Sequence, residues 1–318
     1  MERHEPNRDR MEPMQERRSH PRTITPLSSE AVHLSGELRF PLKQETIRST
    51  VRAALDEDGA FNDLTTIATV VSDRRARATL VARDKGVIAG VALALEAFRL
   101  LDPKVSIRVD VEDGMTVDAG TPVLLLSGHA RALLSAERVA LNFMQRLSGI
   151  ATLTARYVAA VRGTRARILD TRKTTPGWRQ LEKYAVRAGG GRNHRMDLAS
   201  SVLIKDNHLN AVEGDIALAV RRAREIAPAG TQIEVECDRM EQVVAALGEH
   251  VDVIMLDNMP PALMAECVRI VDRRAILEAS GGVNLSTVRE IAETGVDWIS
   301  VGALTHSASA MDLALDFD

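Results

Sequence analysis

Between Asp170 and Arg195 the chain reads DTRKTTPGWRQLEKYAVRAGGGRNHR, and LIKDNHL follows from Leu203. From Arg165 to His208 there are ten Lys or Arg against four Asp or Glu, in a chain whose formal net charge is −3. Cations concentrated in an otherwise acidic chain are suited to holding an anion, and arginine grips planar carboxylates through two parallel hydrogen bonds. The run IEVEC sets Glu234 and Glu236 on one face of a candidate strand, and VDVIMLD ends on Asp257. Paired carboxylates turned toward an interior are costly unless a cation or a metal meets them. Mg²⁺, which takes oxygen ligands and bridges to phosphates, fits Glu236 and Asp257. Two glycine turns, EASGG and SVGAL, complete the set. Glycine lets a backbone approach a ligand, and the N–H groups that open a following helix bind phosphate.

Each feature has a plainer reading when taken alone. Arg172 and Lys173 fit a solvated loop, Lys205 beside Asp206 fits a structural ion pair, His194 fits a satisfied structural histidine, and GGG at Gly189 to Gly191 fits a flexible loop. Their joint placement outweighs these readings. The inventory matches a phosphorylated sugar or nucleotide bound next to a small polycarboxylate. No nucleophile elbow, P-loop or zinc motif is present.

The elements that must position these residues are legible as a repeating pattern. Apolar runs end at Asp170, near Lys205, at Glu236, at Asp257, at Ser280 and at Gly302, and helical stretches such as DRMEQVVAALGEH and LSTVREIAETG separate them. Strands buried on both faces and alternating with helices imply parallel βα units. Without a dinucleotide-binding glycine fingerprint, a barrel is favoured over an open sheet, and it can have fewer than eight strands. In such barrels the site lies at the C-terminal strand ends, where these residues fall. Upstream, Ile47, Val51, Ala54 and Leu55 recur at helical spacing, and ARATLVAR, GVIAG, VSIRVDV and VLLLSG read as strands of a mixed sheet. ARALLSAERVALNFMQRLSGIATLTARYVAAV reads as one long or broken helix, with Gly149 as the expected break.

Composition narrows the function classes. At 318 residues with 45% hydrophobic residues, the chain can build a substantial core. A net charge of −3 argues against a general nucleic-acid binder. No apolar run reaches the roughly 18 residues a membrane span needs. Cys237 and Cys267 have neither metal spacing nor a disulfide framework, which fits a reducing cytoplasm. Residues 1–34 are rich in Arg, Glu, Pro and Ser and are expected to be a disordered extension.

ERVALNFMQRLSGIAT, DTRKTTPGWRQLEKYAVRAGGGRNHRMDL, LIKDNHL, VDVIMLDN, EASGGVN and TGVDWISVGALTHS together resemble the quinolinate phosphoribosyltransferase (nicotinate-nucleotide pyrophosphorylase, carboxylating) family. The likeness runs from about Leu42 to the C-terminus. It implies an α/β fold: an N-terminal sandwich-like domain over residues 35–140, rejoined by residues 308–318, and an incomplete barrel of six or seven strands over residues 141–307. It implies reaction of quinolinate with 5-phosphoribosyl 1-diphosphate to give nicotinate mononucleotide, CO₂ and diphosphate, with Mg²⁺ as cofactor. A homodimer or larger homo-oligomer is expected, with Arg138 reaching the neighbouring subunit's site. Thr171, Arg172, Lys173, His194, Arg195 and Lys205 are expected around the quinolinate carboxylates and the diphosphate. Glu236 and Asp257 are expected at the ribose hydroxyls and the metal. Ser280, Gly281, Gly282 and Gly302, with His306, are expected at the 5-phosphate. Of these, Lys173, Lys205, Glu236 and Asp257 are the catalytic candidates. Val139, Met144 and Met196-Asp197 are mild departures that remove no required charge.

Two rival readings remain at this level. One is a branch of the same fold linked to molybdenum transport, against which the intact IKDNH, TRK and NHR runs argue. The other is a catalytically silent anion- or RNA-binding protein, which leaves the acidic strand ends unexplained.

Overall fold

The computed structural model describes residues 38–318. The expected disordered extension, residues 1–34, lies outside the described residues. The first described helix, α1 (Gln44–Glu57), buries Ile47, Val51 and Leu55 at helical spacing. A short helix, α2 (Leu64–Thr69), is capped by the Asp63 carboxylate, which accepts from Thr66 N at 3.0 Å and from the Thr66 hydroxyl at 2.5 Å. Strands β1 (Arg75–Ala82), β2 (Gly86–Val87), β3 (Ser106–Val109), β4 (Thr116–Val117) and β5 (Pro122–His129) follow, with α3 (Val91–Leu101) inserted after β2.

Helix α4 (Ala130–Ala160) is about 46 Å long at 1.5 Å per residue. It packs on α3 and β5 with one part and on α5 and β6 with another, so the expected domain boundary at residue 140 falls inside a helix common to both regions. The break expected at Gly149 does not occur, because glycine here serves a different purpose. A Cβ at Gly149 would stand 2.0 Å from the Ser309 carbonyl oxygen, so the missing side chain admits the C-terminal segment against the helix.

Beyond α4, six βα units form a parallel sheet. Its strands are β6 (Arg167–Leu169), β7 (Val202–Ile204), β8 (Ile233–Cys237), β9 (Val253–Asp257), β10 (Ile276–Ser280) and β11 (Trp298–Ser300). Their order is β6-β11-β10-β9-β8-β7, all parallel, so β6 and β7, successive in the chain, stand at opposite edges. This is an incomplete barrel of six strands among the described residues. Val253, Ile254, Met255 and Leu256 of β9 are buried in succession, as expected of a strand covered on both faces. Helices α5 (Arg179–Ala188), α6 (Asp206–Asn210), α7 (Ile216–Ile226), α8 (Met240–Gly248), α9 (Pro261–Val271), α10 (Val288–Glu293) and α11 (Ala303–His306) connect the strands. The last strand, β12 (Leu313–Phe317), returns to pair antiparallel with β1, completing the order β12-β1-β5-β3. That upstream sheet is antiparallel throughout rather than mixed. No described helix is long and apolar enough to cross a membrane.

Candidate active site

The C-terminal strand ends surround a cavity of about 670 Å³. Thr171, Arg172 and Lys173 enter it from the end of β6, His194 and Arg195 from the segment after α5, and Lys205 from β7. Glu236, Asp257, Ser280, Gly281 and Gly282 line it from β8, β9 and β10. Gly302 and His306 are not in its wall. They stand behind Lys173: a Cβ on Gly302 would lie 3.1 Å from Lys173 Cδ and 3.1 Å from His306 Nε2. Arg138 is exposed on α4 and does not line this cavity.

Local structure explains why the cations face inward. Asp170, fully buried after β6, accepts from Asn193 Nδ2 at 2.5 Å, from His194 N at 2.9 Å and from the buried Lys183 ammonium. Lys183 also donates to the His194 carbonyl at 3.0 Å. Burial pushes the Asp170 pKa up and the Lys183 pKa down, and their ion pair opposes both shifts. This knot fixes the Asn193–His194–Arg195 segment against the rim. Gly189 to Gly191 is part of the same packing and not a free loop, since a Cβ on Gly189 would meet the Ala151 carbonyl oxygen at 2.3 Å.

The loop carrying Arg172 and Lys173 is held from the other side. Arg146 on α4 donates to Glu182 at 2.7 Å, and Glu182 accepts from Thr175 N at 3.0 Å and from its hydroxyl at 2.8 Å. Trp178 stacks on Phe143 of α4 at 5.2 Å between ring centroids. The Thr305 hydroxyl donates to the Lys173 carbonyl at 2.8 Å. Arg195 donates to the Ser201 carbonyl at 3.0 Å. Burial, then the charge of Arg172, lowers the Arg195 pKa. The buried Nε of Arg172 has no hydrogen-bond partner among the described residues, leaving a donor for a ligand.

On the acidic side, Glu236 pairs with Lys205, and Asp257 accepts from Asn258 Nδ2 at 2.7 Å. Glu236 and Asp257 are adjacent-strand oxygen donors at one rim, a donor set of the hard type Mg²⁺ takes. Gly281 has φ +89°, and a Cβ there would lie 2.2 Å from Asn258 Oδ1, so this turn after β10 requires glycine twice over.

Sequence reasoning did not single out Asn258, Glu278, Ser300, Leu203 or Met255, which also line the cavity, or the supporting Lys183. Glu278 had a signal: on β10 it is two residues from Ser280 and so shares its face. Lys183 had none, because a lysine on an amphipathic helix ordinarily faces solvent.

Comparison with known proteins agrees with this geometry. A family model described as the quinolinate phosphoribosyl transferase N-terminal domain matches residues 63–148, and one described as its C-terminal domain matches residues 150–316. The nicotinate-nucleotide pyrophosphorylase [carboxylating] of Mycobacterium leprae is 47% identical over 280 residues, covering 86% of this chain and 97% of that protein. A solved nicotinate-nucleotide pyrophosphorylase from Francisella tularensis superposes with a TM-score of 0.82 at 36% identity, covering 88% of this chain and 99% of that one. The NadC structure from Streptococcus pyogenes gives 0.83 at 39% identity, covering 87% and 99%. With both domain models matched in order and close relatives covered almost end to end, the chain belongs to the quinolinate phosphoribosyltransferase family.

Proposed function

We propose that this protein transfers the phosphoribosyl group of 5-phosphoribosyl 1-diphosphate to the ring nitrogen of quinolinate. The 2-carboxylate leaves as CO₂, giving nicotinate mononucleotide for NAD biosynthesis. The observation that carries this reading is the convergence of Arg172, Lys173, Arg195 and Lys205 with Glu236, Asp257 and the Gly281-Gly282 turn on one cavity.

The cations supply opposite charge to a dicarboxylate and a diphosphate that arrive together. Arg172 has an unfilled donor for the planar quinolinate carboxylates, and Arg195 and Lys205 complete their surroundings. Lys173, lodged against Gly302, is assigned to the departing diphosphate. The backbone at Gly281 and Gly282, with Ser280, takes the 5-phosphate, and Gly302 and His306 support Lys173 from behind. Glu236 and Asp257 hold the ribose hydroxyls and would hold Mg²⁺. A Mg²⁺ ion held there would supply positive charge to offset that of the diphosphate. The cations of this chain stabilise the leaving diphosphate as the anomeric carbon becomes oxocarbenium-like. The site's further contribution is alignment of the nitrogen with that carbon. Once alkylated, the ring nitrogen is cationic and stabilises the carbanion left at C2 when CO₂ departs. No covalent intermediate with the protein is needed.

Arg138, exposed on α4, is assigned to the neighbouring subunit's site in a homodimer or larger homo-oligomer. Exposed Leu64, Ile67 and Val71 offer apolar surface for that contact. The free, buried Cys237 and Cys267 suit a reducing cytoplasm.

The test is product analysis. Protein incubated with quinolinate, phosphoribosyl diphosphate and Mg²⁺ is expected to form nicotinate mononucleotide and CO₂ in equal amounts. Turnover of nicotinate in place of quinolinate would defeat the proposal.

A further inference from the structure

In the cavity wall and directly behind it lies a cluster that the proposed mechanism does not use. His194 Nε2 stands 3.2 Å from Glu234 Oε2 and 3.6 Å from Glu278 Oε2. The Glu278 side chain is fully buried and that of Glu234 is 3% exposed. Neither Glu278 oxygen has a hydrogen-bond partner among the described residues, and Glu234 Oε1 has none either. Two buried carboxylates within reach of each other cannot both stay ionised without compensation.

Three occupants could compensate: a metal ion, a proton on His194, or a proton on a carboxyl. The imidazole decides among them. Its Nδ1 accepts a hydrogen bond from Arg195 N at 2.8 Å, so that nitrogen carries no proton. The ring hydrogen therefore sits on Nε2 and donates toward Glu234. An Nε2–H cannot ligate a metal, and an imidazolium would need a second hydrogen on the occupied Nδ1. Imidazolium with two carboxylates, and neutral imidazole with one acid and one carboxylate, hold the same number of protons and the same net charge. Burial lowers the basicity of His194, and the two carboxylates overcome it and raise its pKa, so the cluster keeps this extra proton. The backbone of Arg195 directs it to the carboxyls.

We propose that Glu278 is a positioning residue that is a neutral acid in the working enzyme. It stands beside Glu234 and His194 without adding a second buried charge, and it spares a polyanionic substrate a further negative charge behind the cationic rim. Burial first, and then the charge of Glu234, pushes the Glu278 pKa up to about 8. The groups facing it are Glu234 from β8, His194 from the segment after α5, Ser300 from β11 and Lys205 from the end of β7. Lys205 is already paired with Glu236 and leaves Glu278 without a counter-ion of its own.

The consequence is a pH-dependent affinity. Below the raised value the acid is neutral and the cavity accepts a dianion. Above it, ionisation adds one buried negative charge. This rests on the quinolinate reading for its substrate, and the experiment separates the two. KM for quinolinate is measured from about pH 7 to about pH 9.5 in wild type, Glu278→Gln and Glu278→Ala. The wild-type KM is expected to rise roughly tenfold, because ionisation sets one more negative charge in the wall of a cavity that receives an anion. Glu278→Gln, a permanent mimic of the neutral acid, is expected to hold KM within about twofold over the same range, and Glu278→Ala to raise it throughout. Infrared difference spectra of substrate-free protein give an independent readout: a protonated-carboxyl band present in wild type and absent in Glu278→Gln. A flat wild-type profile, a Glu278→Gln profile that rises as in wild type, or a missing carboxyl band would overturn the proposal. Equimolar Zn²⁺ binding by wild type that Glu278→Gln abolishes would also overturn it, in favour of a metal site. If quinolinate is not turned over at all, the functional reading fails, and the infrared band still decides where the proton sits.

Discussion

Replacing Lys183 with Met tests whether the buried knot behind the rim controls both stability and binding. The Lys183 side chain is 1% exposed and Asp170 is 0% exposed, so neither charge can turn to water when its partner is removed. Breaking such a pair from one side costs about 3–5 kcal/mol, because the remaining charge is left uncompensated. Here Asp170 keeps Asn193 Nδ2 at 2.5 Å and His194 N at 2.9 Å, which places the cost near the lower end, about 3 kcal/mol. For a chain of this size that is roughly 5 °C in Tm. The His194 carbonyl also loses the ammonium that holds it at 3.0 Å, so the segment bearing His194 and Arg195 shifts from its working position. A displacement of this kind near the substrate is expected to lower kcat/KM for quinolinate by roughly ten- to a hundredfold. Thermal unfolding and steady-state kinetics on one preparation read both effects. Asp170→Asn combined with Lys183→Met removes the orphaned charge and is expected to recover most of the stability with little of the activity. A Lys183→Met protein that melts within about 2 °C of wild type and keeps its kcat/KM would refute the reasoning.

Further outcomes follow from the same geometry. Arg195→Ala or Lys205→Ala is expected to lose about 2 kcal/mol or more of quinolinate binding, since each truncates a partner of a desolvated anion, and calorimetry with quinolinate alone measures it. Gly149→Ala forces a Cβ to within 2.0 Å of the Ser309 carbonyl oxygen and is expected to cost about 1–3 kcal/mol, read by denaturant unfolding. Asp63 has a lowered pKa, caused first by the Thr66 hydroxyl and then by Thr66 N. Its contribution to stability is therefore complete above the ordinary carboxyl value of 3.8 and fades as the pH falls through the lower folded value. An Asp63→Ala protein is expected to lose about 1 kcal/mol at neutral pH, with the difference from wild type closing in acid. Arg138→Ala homo-oligomers are expected to be nearly inactive, and mixing them with Glu236→Ala protein is expected to restore part of the activity through hybrid sites; no recovery after subunit exchange would contradict the shared site.

The six strand ends were readable because a strand covered on both faces must be apolar along its length, so its polar terminus stands out. Asp257 after VIML and Glu236 after IEV are such punctuation. The upstream strands were readable as strands but not in their direction: runs such as ARATLVAR and VLLLSG carry the apolar pattern of a sheet, while the antiparallel pairing of β1 with β5 and β12 is set by how distant segments meet. Gly149 was misread because a glycine within a helix can mark a break or a close approach, and local spacing carries no record of Ser309 lying 160 residues away. Lys183 was invisible for a related reason: its burial depends on Asp170 and the His194 carbonyl reaching it from two other segments. Glu278 lay within reach of the strand alternation, but its meaning depends on Glu234 and His194, which other elements bring beside it.

The most direct measurement is a crystal structure with quinolinate bound. The account predicts both quinolinate carboxylates against Arg172, Arg195 and Lys205, with the ring nitrogen turned toward the side of the cavity formed by Glu236 and Asp257. Quinolinate bound outside this cavity, or bound within it with its carboxylates toward Glu236 and Asp257, would contradict the account.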